Sequence, residues 1–277
     1  MGTLEGKVAI IAGGATNQGA ESAKLMAKQG AKVVVGDLNI KDAELTAAEI
    51  RKSGGDAVAF RFDISKEDEV EALVEFAVTT YGGVDVLHNN AAAMGAIDNV
   101  IAADHATDIL KLDMAAFDHT IAVDLRGFIL TMRYAVPEMM KRGGGSIINT
   151  SSIASVETGP RGHAYTIAKA GVNALTKAVA AAYGQYRIRC NVVIPGGVAR
   201  WGNVNFDRPP GHPLYVDPNN PPTAGPKRGM PREIANVVVF LASDETASYV
   251  NGALIQVDGG PRGRGPGLPQ PSAIGGM

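Results

Sequence analysis

Apolar, β-branched runs recur along the chain, separated by longer stretches in which apolar positions return every three or four residues. Lys7-Val-Ala-Ile-Ile-Ala12 reads as a first strand buried on both faces, because a run without polar alternation leaves no face for water. Residues 32–36, 57–61, 84–88, 146–150, 190–194 and 253–257 repeat the pattern as strands two to seven. Segments near 19–29, 41–53, 66–81, 113–141, 163–184 and 231–242 read as the helices between and after them. Strands alternating with helices predict an α/β fold: a doubly wound, seven-stranded parallel sheet with right-handed crossovers. A single domain is expected over residues 1–260.

Two segments break the alternation. Residues 199–228 hold seven prolines, from Pro209 to Pro226, and the only tryptophan, Trp201. A connection that long without regular structure reads as a substrate loop or lid. Residues 261–277 are rich in Gly and Pro and read as a tail without helix or strand.

Composition narrows the function classes. Of the 277 residues, 45% are hydrophobic and 19% charged, with a net charge of −2. No Lys/Arg-rich run is present, so nucleic acid is not an expected partner. No apolar run approaches the roughly 20 residues that span a bilayer. The first residues lack the apolar core of a signal peptide. Cys190 is the single cysteine, which excludes an intrachain disulfide and suits a reducing compartment. A cytoplasmic location is expected.

The first chemical signal follows the first strand. Ala12-Gly13-Gly14-Ala-Thr-Asn17-Gln18-Gly19 opens a helix. A Gly-rich strand-to-helix turn lets backbone amides and the helix N-terminus approach a pyrophosphate. That context makes the sheet Rossmann-type. The second strand ends in Gly36-Asp37, where an acid accepts hydrogen bonds from an adenosine ribose and repels a 2′-phosphate. Asp37 therefore points to NAD over NADP, and Thr16 brings no positive charge to offset it. Gly2-Thr-Leu-Glu-Gly6-Lys7 only loosely resembles a nucleotide P-loop. It is one residue short between its glycines, lacks Ser or Thr after Lys, and precedes a strand.

The second signal is Tyr165 and Lys169, with Ser152 thirteen residues upstream of the tyrosine. Residues at i and i+4 share one helix face. A free phenol has a pKa of about 10 and transfers protons poorly at neutral pH, whereas a nearby ammonium favours the phenolate. A serine hydroxyl beside it can hold the same substrate oxygen. Such a set moves a proton on and off an alcohol or carbonyl oxygen. Tyr-x-x-x-Lys alone also occurs on ordinary surface helices, so the rest of the chain gives the pair its weight. His-Glu-x-x-His is absent, so no catalytic metal is expected, and Gly-x-Ser-x-Gly is absent, so a serine hydrolase is unsupported.

Together these motifs resemble the short-chain dehydrogenase/reductase family over nearly all of the first 260 residues. The matching series continues through Phe62-Asp63-Ile64, Asn89-Asn90-Ala91-Ala92, Asn149-Thr-Ser-Ser152, Pro195-Gly196, Gly229-Met-Pro-Arg-Glu-Ile-Ala and Asp258-Gly-Gly. The resemblance implies catalytic roles for Ser152, Tyr165, Lys169 and Asp124. It implies cofactor contacts from Gly13, Asn17, Gln18 and Gly19 at the phosphates, and from Asp37 and Leu38 at the ribose. Asp63 and Ile64 would contact the adenine. Asn90, Ala91, Pro195, Gly196 and Val198 would lie along the remainder, with Tyr165 and Lys169 at the nicotinamide ribose. The implied reaction is NAD-dependent interconversion of a secondary alcohol and a ketone, oxidation being favoured. Family members usually form tetramers, through the helices near 113–141 and 163–184 and the last strand, and residues 261–277 are candidates to touch a neighbouring subunit.

The chain departs from the family pattern at four places. Asn17 stands where a middle Gly is usual, Asp124 where an Asn is usual, Ala92 for Gly, and Arg200 where Thr is frequent. Ala154, Val156, Met94, Trp201 and the 199–228 loop are candidate pocket residues. Their mix suggests an uncharged, fairly apolar alcohol or ketone, cyclic ones included. His163, two residues before Tyr165, is a candidate to reach the pocket, a satisfied or exposed histidine being the other reading. Two alternatives stay open at this point: a dinucleotide-binding protein without catalysis, kept alive by Asn17 and Asp124, and an NADPH-dependent ketoreductase, opposed by Asp37.

Overall fold

The computed structural model describes residues 2–93, 109–157, 162–198 and 229–260. The strands are β1 (Val8–Ala12), β2 (Lys32–Asp37), β3 (Asp56–Arg61), β4 (Val86–Asn89), β5 (Gly145–Thr150), β6 (Ile188–Pro195) and β7 (Leu254–Val257). They form one sheet in the order β3-β2-β1-β4-β5-β6-β7, and every neighbouring pair is parallel. The helices are α1 (Asn17–Lys28), α2 (Ile40–Lys52), α3 (Glu67–Tyr81), α4 (Met114–Ile121), α5 (Gly127–Lys141), α6 (His163–Tyr183), α7 (Pro231–Ala242) and α8 (Asp244–Ala247).

The apolar runs become strands with two buried faces. All residues of β1 and of β6 are buried. Successive side chains serve different layers, as a period of two requires. Ile10 joins a core with Val70 and Leu73 of α3, Phe128 of α5 and Val172 of α6. Ala9 and Ile11 join the opposite core, with Met26 of α1, Ala47 of α2 and Val238 of α7. Burying each large aliphatic side chain contributes about 1.5–3 kcal/mol. A polar residue in the middle of either strand would therefore damage one core or the other.

The sequence predicts one helix over 113–141, and the structure divides it. Asp113 caps α4 by accepting the amides of Ala115 and Ala116, and a π turn at Ala122–Arg126 separates α4 from α5. Apolar residues continue through that turn, so hydrophobic periodicity does not mark it. Such one-turn π insertions often occur at functional sites; this one contains Asp124.

Buried polar side chains then lock two helices to the sheet centre. Asn89 donates to Asn149 across β4 and β5 at 2.9 Å. Thr131 of α5 donates to Asn89 at 2.7 Å, and Asn149 donates to Thr176 of α6 at 3.0 Å. Every partner is buried, where such networks hold one register firmly. Strand order reverses at β1, which pairs with β2 on one side and β4 on the other. In open α/β sheets a ligand crevice forms beyond the strand ends at that switch point. Among the described residues no helix is long and apolar enough to cross a membrane.

Candidate active site

The register sets the site. Ala12 pairs with Gly36 and with Asn89, so the turns after β1, β2 and β4 emerge side by side. The amides of Gly13 and Gly14 both donate to the Gly36 carbonyl, at 2.8 and 3.0 Å. Gly13 has φ +89 and Asn17 φ +52. Asn17 thus occupies the left-handed region, which Asn tolerates better than most non-Gly residues, and the turn survives the loss of the middle Gly. Thr16 stands at the N-cap of α1 but its hydroxyl accepts no amide of the first turn, leaving the positive end of the helix open to an anion.

Asn90 braces this turn. Its Nδ2 donates to the Gly13 carbonyl at 2.9 Å, which fixes the amide orientation. Its Oδ1 accepts from Gln18 Nε2 at 3.0 Å and from Thr150 Oγ1 at 3.3 Å. Gly19 lies beneath the turn rather than on its wall: a Cβ there would sit 2.0 Å from the Gly13 carbonyl oxygen.

The end of the cleft beyond β2 is acidic. Asp37 accepts the Ala15 amide through Oδ2 and the Asn39 amide through Oδ1, both at 3.0 Å. Leu38 beside it is 47% exposed, a flat apolar surface at the rim. Asp37 pairs with Arg61 in register, which brings Asp63 and Ile64 round to the same end. Burial raises the Asp63 carboxyl, but the Ser65 hydroxyl and amide, with Lys66 and Arg61 nearby, outweigh it and hold it below its usual range.

The other end carries Ser152, Tyr165 and Lys169. Lys169 is buried, and its Nζ donates to the Thr150 carbonyl at 3.2 Å. It lies 4.8 Å from the centroid of the Phe128 ring and 5.7 Å from that of Tyr165. Ser152 follows β5 and starts a short 3₁₀ turn, Ile153–Ser155, its Oγ accepting the Ala154 amide at 3.2 Å. An oxygen that accepts one bond keeps its own hydrogen to donate. The serine is held from α6: Asn173 Nδ2 donates to Ser155 Oγ, which donates to the Ser152 carbonyl. Ser151 donates to the Lys169 carbonyl at 3.0 Å. Asp124 is the one predicted catalytic residue that does not line the cleft; it lies below Lys169 at 3.0 Å.

One cleft of about 1000 Å³ joins the two ends. Its wall includes Gly13, Asn17, Gln18, Asp37, Leu38, Asp63, Ile64, Asn90 and Ala91, then Ser152, Tyr165, Lys169, Pro195, Gly196 and Val198. The sequence did not single out Asp42, His119, Val123 or Thr150, which also line it. His163 is not part of this wall, and its Nε2 is buried without a partner among the described residues. Ala154 and Val156 lie on the turn after Ser152, with Val156 44% exposed. Met94, Arg200, Trp201, the 199–228 loop and the 261–277 tail lie outside the described residues. Among the described residues no His, Cys, Asp or Glu cluster could hold a metal ion.

A crevice at the switch point, with carboxylates at one end, an open helix N-terminus and a Ser/Tyr/Lys set, fits a nicotinamide dinucleotide and defines an oxidoreductase. The family described as enoyl-(acyl carrier protein) reductase matches residues 13–261. The chain belongs to the short-chain dehydrogenase/reductase family. It is 35% identical over 257 residues to a 2,5-dichloro-2,5-cyclohexadiene-1,4-diol dehydrogenase of Sphingobium indicum, covering 93% of this chain and 96% of that one. It is 35% identical over 253 residues to a cyclohexanol dehydrogenase of an Acinetobacter strain, covering 91% and 94% of the two chains. A solved 7α-hydroxysteroid dehydrogenase, complexed with NADH and 7-oxo glycochenodeoxycholic acid, superposes with TM-score 0.77 at 31% identity over 93% of this chain and 94% of that one.

Proposed function

We propose that this protein is an NAD-dependent dehydrogenase that oxidises an uncharged, fairly apolar, cyclic secondary alcohol to its ketone. The observation that carries the proposal is that one cleft is lined both by Asp37 and the Gly13 turn and by Ser152, Tyr165 and Lys169.

The preference for NAD follows from charge. Asp37, Asp42 and Asp63 line the cleft, and Lys169 is its single cation among the described residues. A 2′-phosphate at the ribose end would meet carboxylates on a wall that, among the described residues, carries no Arg or Lys at that end. Bound NAD supplies the hydride acceptor. Tyr165 takes the hydroxyl proton as the alcohol carbon loses its hydride. Ser152 donates a hydrogen bond to the same oxygen and stabilises the charge that develops there. Lys169 would bind the nicotinamide ribose. In the reverse direction Tyr165 returns the proton to the ketone oxygen.

The cyclic substrate class rests on the relatives, whose names specify a cyclohexadiene diol, cyclohexanol and a steroid. Formation of reduced nicotinamide, with NAD and with NADP, across cyclic, terpenoid, steroid and aryl secondary alcohols tests the proposal. Turnover with NAD that vanishes in Tyr165→Phe supports it; NADH binding without turnover of any alcohol favours a non-catalytic dinucleotide-binding role. A homotetramer in the cytoplasm is the matching assembly proposal, and a monomer by light scattering would overturn it.

A further inference from the structure

Asp124 and Lys169 form a charge pair beneath the cleft floor. Lys169 is 1% exposed and Asp124 0%. The ammonium lies 3.0 Å from Asp124 Oδ1, yet Oδ1 receives no aligned hydrogen bond. The aligned bond from Nζ goes to the Thr150 carbonyl. Asp124 Oδ2 accepts the Ala93 amide at 3.2 Å. The contact between the two residues is therefore one of charge more than of shared hydrogen.

Two local features produce it. The π turn at Ala122–Arg126 takes Asp124 off the regular helical repeat. Helix α6 passes close to that turn, since a Cβ on Gly171 would lie 2.9 Å from Leu125 Cδ2. The asparagine usual at this position in the family would fit the same space without a charge. A carboxylate here cancels part of the ammonium field that reaches the Tyr165 phenol.

We propose that Asp124 is a positioning residue that neutralises Lys169 and so raises the pH at which Tyr165 gives up its proton. Other titratable groups near the pair are Tyr165 itself and His163 on α6, His119 on α4, and His88 on β4 through Thr150. Asp37, Asp42 and Asp63 sit at the far end of the cleft. All of them are common to wild type and to an Asp124 variant, so a difference between the two reports Asp124.

The test has two arms, of which only the kinetic one rests on the dehydrogenase proposal. In the first, the Tyr165 phenolate is titrated by ultraviolet difference absorbance, each protein against its own Tyr165→Phe counterpart. This arm needs neither substrate nor cofactor. In Asp124→Asn the phenolate should form about one pH unit lower than in wild type, the size expected for removing a buried charge near the phenol. In the second, the acid limb of kcat/KM for alcohol oxidation should move the same way. Asp124→Ser, also uncharged, should move both; it stands in should the asparagine variant not fold. A lost helix contact would lower kcat without moving either titration. An unmoved titration, or one displaced to higher pH, in folded uncharged variants would overturn the proposal.

Discussion

Asp37 Oδ2 accepts the amide hydrogen of Ala15 at 3.0 Å, so the acid that ends β2 is tied to the turn that ends β1. Its other oxygen accepts the Asn39 amide at 3.0 Å. Asp37 thus shapes the turn and, in the proposed function, presents negative charge to a ribose. Asp37→Asn removes the charge and keeps one acceptor oxygen, which can serve the Ala15 amide while the exposed Asn39 amide turns to water. The ratio of kcat/KM for NAD over NADP should fall about tenfold, equivalent to about 1.4 kcal/mol. Thermal stability should change little. An unchanged ratio would remove Asp37 from cofactor selection.

Tyr165 and Lys169 share a face of α6, and both line the cleft. Tyr165→Phe removes the proposed proton carrier and leaves the ring. A positioned acid or base contributes roughly 10²- to 10⁴-fold to rate, so alcohol oxidation should fall by that order. NADH affinity, read by fluorescence, should stay within a few-fold of wild type. Retained turnover in the phenylalanine variant would assign the proton transfer elsewhere.

A third outcome concerns Gly19. A Cβ at this position would lie 2.0 Å from the Gly13 carbonyl oxygen and 2.7 Å from Asn90 Nδ2. The first of these is backbone in a tight turn and cannot swing aside. Gly19→Ala should therefore cost about 1–3 kcal/mol and weaken cofactor binding together with stability. Gly54→Ala is the control: its φ is +85 but a Cβ there meets nothing within 4 Å. That variant should lose stability alone. Equal NADH affinity in Gly19→Ala and wild type would contradict the packing argument.

Much of this was legible in the chain because it is written locally. A buried parallel strand needs an unbroken apolar run, and β1 and β6 supply one each. The Gly13–Gly19 turn and the Tyr165/Lys169 spacing are likewise contained within a few residues. What escaped depends on register. His88, Thr150 and Asn90 meet only because β4 and β5 pair Asn89 with Asn149, a relation that no window of sequence contains. The π turn escaped for another reason: its residues, Ala122–Arg126, carry the composition of the helices on either side. The resemblance could name Asp124 as a departure but not its partner.

His88 gives the last prediction. It is fully buried on β4, and its Nε2 lies 3.0 Å from Thr150 Oγ1. The direction of that bond follows from its neighbours. Asn90 Nδ2 donates to Gly13, so Asn90 Oδ1 must accept from Thr150. Thr150 then accepts from His88, which places the imidazole proton on Nε2 and leaves the buried Nδ1 without a partner. Burial drives the imidazole pKa down to about 3, against about 6.5 in an unfolded chain. Between those values the unfolded state binds the extra proton. Stability tied to His88 is therefore fully present above about pH 6.5 and is lost as pH falls towards about 3, by up to about 1.4 kcal/mol per pH unit. The window from pH 7 to 5 isolates this effect from most carboxylates, which titrate lower. Over it the melting temperature of wild type should fall, and that of His88→Gln, which has no imidazole, should fall less. At pH 8 the glutamine variant should be the less stable protein, having lost a fitted side chain. Parallel melting curves for the two proteins from pH 7 to 5 would mean that His88 is protonated in the fold or that another group carries the slope.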